Sequence, residues 1–172
     1  MNASPPIRRR LRAFFRPRLT QGYWVRVAVV AVVAALFFAY VCRPMWIKGA
    51  SMEPTYHDGS FVFCLLVRYR FADPAIGDVV TVRMPQAGSR VMLLKRVIAR
   101  AGDTVEFRQG VLYRNGQPVE EPYVRYRNPW NLGPRQVKPG QVYVVGDNRG
   151  MAIESHVFGQ TPLSRIGGAP LW

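Results

Sequence analysis

From Val27 to Cys42 the chain runs sixteen residues without a charge, rich in Val, Ala and Phe. Tyr23 and Trp24 lengthen the run to twenty, with Arg26 as its one interruption. Twenty helical residues at about 1.5 Å each reach across the hydrocarbon of a bilayer, so the pattern predicts a membrane-spanning helix over 23–42. Arg26 lies near one end, where a long cationic side chain snorkels to the headgroups, and Tyr23 and Trp24 sit where interfacial aromatics collect. A cleaved secretory signal is the competing reading. Its apolar core is usually shorter, about 7 to 15 residues, and leads to a small-residue cleavage site. Here the run ends instead in Cys42-Arg43-Pro44-Met45-Trp46.

Beyond the apolar segment the hydrophobic residues come in short runs, β-branched or aromatic and bounded by turn residues. Ser60–Val67, Asp78–Met84, Arg90–Ala101, Thr104–Arg108 and Gln141–Gly146 are predicted strands. Asn115-Gly116, between Val111-Leu112-Tyr113 and Val119, predicts a tight hairpin, because Asn and Gly tolerate the positive φ of a type I′ turn. The segment Arg125–Pro139 carries Asn128-Pro129, Gly133-Pro134 and Lys138-Pro139 without a clear period and reads as a loop. The expected organisation is a basic tail over 1–22, a transmembrane helix over 23–42, and one mainly β domain over 43–172 with an antiparallel or mixed sheet. About 130 residues suffice for one core.

Charge adds an orientation. Arg8, Arg9, Arg10, Arg12, Arg16, Arg18 and Arg26 all precede the apolar core, and no acidic residue appears before Glu53. The positive-inside rule then predicts a cytoplasmic N-terminus and an extracytoplasmic β domain. Those seven arginines are half of the net charge of +14. The other basic residues are scattered among the acidic ones with no zinc-finger or helix-turn-helix spacing, so no nucleic acid is expected as a partner. Anionic lipid headgroups are the simpler counterpart of the charge. Cys42, at the end of the membrane segment, and Cys64, in a strand-like run, are read as free apolar residues. With His57 and His156 they form no ligand cluster of recognised spacing, and neither metal nor cofactor is expected.

The residues that could carry chemistry begin with Ser51, whose hydroxyl is a poor nucleophile until a neighbouring base takes its proton. His57, His156 and Lys95 are the conceivable bases, and spacing alone leaves a Ser-His arrangement open. Lys95 lies in Val91-Met92-Leu93-Leu94-Lys95-Arg96-Val97-Ile98, where strand alternation puts it on one face with Val91, Leu93 and Val97. Loss of hydration lowers the pKa of a lysine so placed, and a neutral amine can accept a proton. Composition alone equally allows an edge lysine with a solvated head. Pairing with Ser51 favours the buried reading.

In these blocks the chain resembles the membrane-anchored type I signal peptidases. Gly49-Ala50-Ser51-Met52-Glu53-Pro54-Thr55 is similar to the family's nucleophile box and Gly77-Asp78-Val79-Val80 to the next. Lys95-Arg96-Val97-Ile98 with Gly102-Asp103 resembles the lysine box. Asn115-Gly116 with Glu121-Pro122-Tyr123 resembles the hairpin segment, and Gly146-Asp147-Asn148-Arg149 the last box. The resemblance spans Trp46 to Gly159. It implies a β-sheet serine protease with a Ser-Lys dyad that removes signal peptides from exported preproteins at the outer face of the inner or plasma membrane. Preproteins, the bilayer and the export machinery would be its partners. Ser51 would attack the scissile carbonyl, Lys95 would be the general base, and the Ser51 backbone N–H would donate to the oxyanion, a contribution of about 3 kcal/mol per donor in other enzymes. Ile47, Met52, Leu93 and Leu94 would line shallow pockets for small side chains at the −1 and −3 sites, the Ala-x-Ala preference. Asp147, Asn148 and Arg149 would support the site.

Three departures bear on this expectation. Many relatives carry a serine where this chain has Gly49, which leaves a second oxyanion donor unassigned. Ala152 stands where the family's serine helps orient the lysine amine, and Glu154 stands in place of an aspartate. Ser155 or a water is then left to hold Lys95. A specialised processing peptidase of the same clan, and a catalytically inactive tethered β domain that binds a partner protein, are the alternatives.

Overall fold

The computed structural model describes residues 20–84 and 92–171. Most of the expected basic tail, through residue 19, and the predicted strand positions Arg90 and Val91 lie outside the described residues. The chain divides into two compact units, the first ending at Ala39 and the second starting at Tyr40. The first is built on helix α1, Gln21–Tyr40, which is long and apolar enough to cross a membrane by length and composition and buries none of its residues inside the protein.

The helix ends two residues short of the predicted span. Pro44 lacks a backbone N–H and biases Arg43 toward extended backbone, so the chain leaves the helix before it. Cys42 therefore opens a strand of the second unit, β1 (Cys42–Trp46), and does not close the membrane segment. Cys42 and Cys64 are both free and buried. Register pairs Cys42 with Leu65 and Arg43 with Cys64, which turns the two thiols to opposite faces of the ladder.

The remaining strands are β2 (Phe61–Leu65), β3 (Val79–Arg83), β4 (Met92–Arg100), β5 (Thr104–Arg108), β6 (Val111–Arg114), β7 (Gln117–Pro118), β8 (Leu132–Gln136), β9 (Gln141–Val145), β10 (Gly159–Pro162) and β11 (Ile166–Pro170). A seven-stranded sheet runs β1-β2-β11-β3-β4-β9-β10 and a four-stranded sheet runs β7-β6-β5-β8, with every ladder antiparallel. The five predicted strands all form. Asn115 and Gly116 take φ of 54° and 78°, as a type I′ turn requires.

Part of the expected loop Arg125–Pro139 is strand β8, which pairs with β5 through Thr104↔Gln136, Val105↔Arg135 and Phe107↔Leu132. It is an edge strand, the one place in a sheet where Pro134 costs no ladder bond. Pairing with β5 supplies what its composition does not advertise, since no residue of β8 is buried.

The largest buried cluster joins Ile98, Ala99, Tyr143 and Val145 of the first sheet to Val105, Phe107 and Leu112 of the second, with Trp130 and Val137. A second cluster, Val80, Val82, Val97, Val142 and Val144, lies on β3, β4 and β9. Strand β4 is thus covered on both faces, and a register irregularity between Val97 and Ala99 leaves Val97, Ile98 and Ala99 all buried. Simple alternation fails there for that reason.

Candidate active site

Ser51 occupies a short 3-10 turn, Ala50–Met52, entered through Gly49 at φ 94° and ψ 150°, a backbone conformation that only glycine adopts without strain. The Gly49 N–H donates to Asp58 Oδ1 at 2.7 Å, and Met52 is buried, which plugs the turn into the domain. The far side of the turn is held by Asn148: its backbone N–H donates to the Ser51 carbonyl at 3.1 Å and its Nδ2 to the Ala50 carbonyl at 3.0 Å.

Lys95 reaches the same turn from the middle of β4. Val80 lies opposite it on β3, and the lysine is 2% exposed. Its Nζ lies 2.9 Å from Ser51 Oγ, and among the described residues that hydroxyl is its sole hydrogen-bond partner. Burial pushes the amine down to about 8 from 10.5, and the nearby Asp147 carboxylate, which favours the ammonium, only partly opposes this. Near pH 8 half of the amines are therefore uncharged and able to accept a proton.

The charged groups behind the pair are bonded to one another. Asp147, fully buried, accepts from Arg96 Nε at 2.8 Å, Arg96 Nη2 at 2.6 Å and Thr55 Oγ1 at 2.5 Å. Arg96 also donates to the Gly77 carbonyl and lies over the Tyr123 ring, 4.0 Å from its centroid. Arg149 and Glu121, both 1% exposed, form a second ion pair, and Arg149 Nε donates to the Gly146 carbonyl at 2.8 Å. Arg149 thus ties the end of β9 to the hairpin segment. Desolvation makes such pairs costly to break: removing one partner strands the other charge.

In front of the pair a groove of about 430 Å³ is lined by Met45, Ile47, Ser51, Met52, Val62 and Leu94, together with Leu93 and Met92. All four positions expected to contact substrate, Ile47, Met52, Leu93 and Leu94, border it beside Ser51. Ser155 is exposed on a 3-10 turn, Ile153–Ser155, and makes no hydrogen bond to Lys95. His57 is exposed as well. His156 is buried near the dyad without bonding to Ser51 Oγ.

Three contributors escaped the sequence reading. Arg96 stands in the lysine box without a role, although its opposite charge to Asp147 in the last box was a signal. Thr55 carried none. Gly146 is dictated by space: a Cβ there would stand 2.2 Å from the Ser51 carbonyl oxygen and 2.6 Å from His156 Cε1, an approach apparent only once β9 meets the serine turn.

Comparison with known proteins follows the same residues. The model of the family described as signal peptidase, peptidase S26, matches residues 21–171. The "Probable signal peptidase I-1" of Synechocystis sp. is 37% identical over 150 residues, covering 84% of this chain and 76% of that one. Signal peptidase I of Bacillus licheniformis is 35% identical, covering 84% and 83%. A crystal structure of a signal peptidase I from Enterococcus faecalis V583 aligns at 26% identity with a TM-score of 0.45, over 56% of this chain and 95% of that chain. With the family model spanning nearly the whole chain, the protein belongs to the signal peptidase family, peptidase S26.

Proposed function

We propose that this signal peptidase uses Ser51 as nucleophile and Lys95 as general base to remove signal peptides from exported preproteins after small residues. The observation that carries the reading is the 2.9 Å approach of an almost fully buried lysine amine to the serine hydroxyl. As the Ser51 Oγ–H proton passes to the neutral Lys95 amine, Oγ bonds to the scissile carbonyl carbon. Negative charge gathers on the carbonyl oxygen, toward the Ser51 backbone N–H. Collapse breaks the C–N bond, and the leaving amine takes the proton from the Lys95 ammonium. Water, deprotonated by the regenerated amine, then hydrolyses the Ser51 ester and releases the signal peptide.

The apolar groove beside Ser51 suits an extended peptide with small side chains at alternate positions, in keeping with Ala-x-Ala sites. Helix α1 anchors the enzyme, the arginines before it keep the N-terminus in the cytoplasm, and the β unit meets its substrate at the outer face of the membrane. Asp147, Asn148 and Arg149 hold the serine turn and β9 in place and take no part in bond making.

Cleavage of a preprotein by the full chain in detergent tests the dyad. Ser51→Ala and Lys95→Ala should each abolish turnover while melting like the wild type, and full activity in either overturns the assignment. The wild-type rate should fall about tenfold per pH unit below 8, because acid protonates the amine. A rate that is flat from pH 8 to 6 excludes Lys95 as the base.

A further inference from the structure

His156 is a buried titratable side chain, 5% exposed, that the dyad chemistry leaves unused. Among the described residues neither of its ring nitrogens has a hydrogen-bond partner, whereas a buried polar group normally finds one because leaving it unpaired is costly. Its ring packs edge-on against Trp130 and Phe158, with centroids 5.1 and 6.1 Å away. That packing explains why a flat ring fits. It does not explain two nitrogens.

The imidazole lies beside the dyad. An added Cβ on Gly146 would meet the Ser51 carbonyl oxygen at 2.2 Å and the ring at 2.6 Å (Cε1) and 2.9 Å (Nε2), so ring and nucleophile turn share the space above this glycine. Lys95 faces the same space. Ladder β4–β9 pairs Arg96 with Val145, and one more residue along that register brings Gly146 across from Lys95, where cross-strand neighbours point to one side. The Lys95 charge acts directly on the ring.

A lysine amine that serves as base must aim its lone pair at the serine O–H, and this holds only if its own N–H bonds are directed elsewhere. Ser51 Oγ is the sole hydrogen-bond partner of Nζ among the described residues, and Ser155 is exposed and makes no bond to it. We propose that His156 is a positioning residue: a ring nitrogen accepts an N–H of Lys95 once the amine turns to take the Ser51 proton, and so fixes the direction of its lone pair. The proposal rests on the dyad reading. It requires an uncharged ring, and the surroundings supply one: burial first, then the positive charges of Lys95 and Arg149, hold the imidazole down to about 4. Backbone groups of Asn148 and Val157 pull weakly the other way without closing a hydrogen bond to the ring.

The test compares His156→Phe, which keeps an aromatic ring against Trp130 and Phe158, with His156→Gln, which keeps an acceptor, in the full chain on a preprotein substrate. His156→Phe should lower kcat tenfold or more with KM within twofold, and its acidic rate limb should move to lower pH because the ammonium has lost an acceptor. His156→Gln should recover at least a third of the wild-type kcat. A folded His156→Phe with wild-type kcat and an unmoved limb overturns the proposal. Wild-type protein gives a reading that no folding defect can spoil. The acceptor 15N resonance of His156 should shift with a midpoint near that of Lys95, and should lose that step in Lys95→Ala; an unresponsive resonance also overturns the proposal. Should Ser51→Ala or Lys95→Ala keep full activity, the dyad itself is wrong. If both are inactive and His156→Phe is not, only the role of His156 fails.

Discussion

The two sides of Ser51 are built from different materials. Behind it, Arg96, Asp147, Arg149 and Glu121 are side chains at most 12% exposed, each tied by directional, charge-assisted bonds. In front, the groove residues Ile47, Met52, Leu93 and Leu94 offer carbon surface and shape, and farther along β1 and β2 the rings of Trp46 and Phe61 stack edge to face while remaining 66% and 46% exposed. The polar side fixes position to a fraction of an ångström because each bond fails when its partner rotates. The apolar side tolerates variation because burial depends on area, not direction. A signal peptidase built on the proposed dyad needs both: a fixed place for one proton transfer and a surface that takes up the peptide.

The contrast can be broken most severely from the polar side. Arg149→Met leaves the Glu121 carboxylate buried without its cation and should cost about 3–5 kcal/mol, read as a large drop in melting temperature in detergent. Acid should attack the same side: His156 titrates at about 4 folded against 6.5 unfolded, so the unfolded chain binds the extra proton between those values. This contribution to stability is complete above pH 6.5 and lost as pH falls to 4, a loss on the order of 3 kcal/mol that His156→Phe should remove from the pH–melting curve. Gly146→Ala drives a methyl into the Ser51 carbonyl and should reduce kcat by about a hundredfold by misplacing the nucleophile. On the apolar side the effects shrink. Leu94→Ala widens the groove and should raise cleavage of sites with a larger residue in place of alanine by about tenfold, measured as kcat/KM on matched peptides. Trp46→Ser, at an exposed ring, should change stability by less than about 0.5 kcal/mol, and a larger loss in detergent would mean that this edge packs more tightly than its exposure suggests.

Legibility followed the same division. The apolar segment, the strands Thr104–Arg108 and Gln141–Val145, and the Asn115-Gly116 turn were readable because each is a local pattern whose backbone preference acts within a few residues. Ser51 and Lys95 were readable as types in boxes. Strand β8 was not, since Leu132-Gly133-Pro134-Arg135-Gln136 has no strand period and owes its conformation to pairing with β5. Cys42 was assigned to the wrong unit because sixteen uncharged residues carry no mark of where the helix yields to Pro44.

Order along the chain was enough to name a serine, a lysine and an apolar anchor, since composition and spacing are properties of the covalent polymer. That Nζ lies 2.9 Å from Oγ, that Arg96 finds Asp147 and Arg149 finds Glu121, and that an imidazole rests over Gly146 beside the Ser51 turn are facts about pairs 28 to 51 residues apart or about packed neighbours. Such distances exist only after the sheets close. Burial, which turns an ordinary lysine into an amine half neutral near pH 8, belongs to the folded surroundings and to no residue alone.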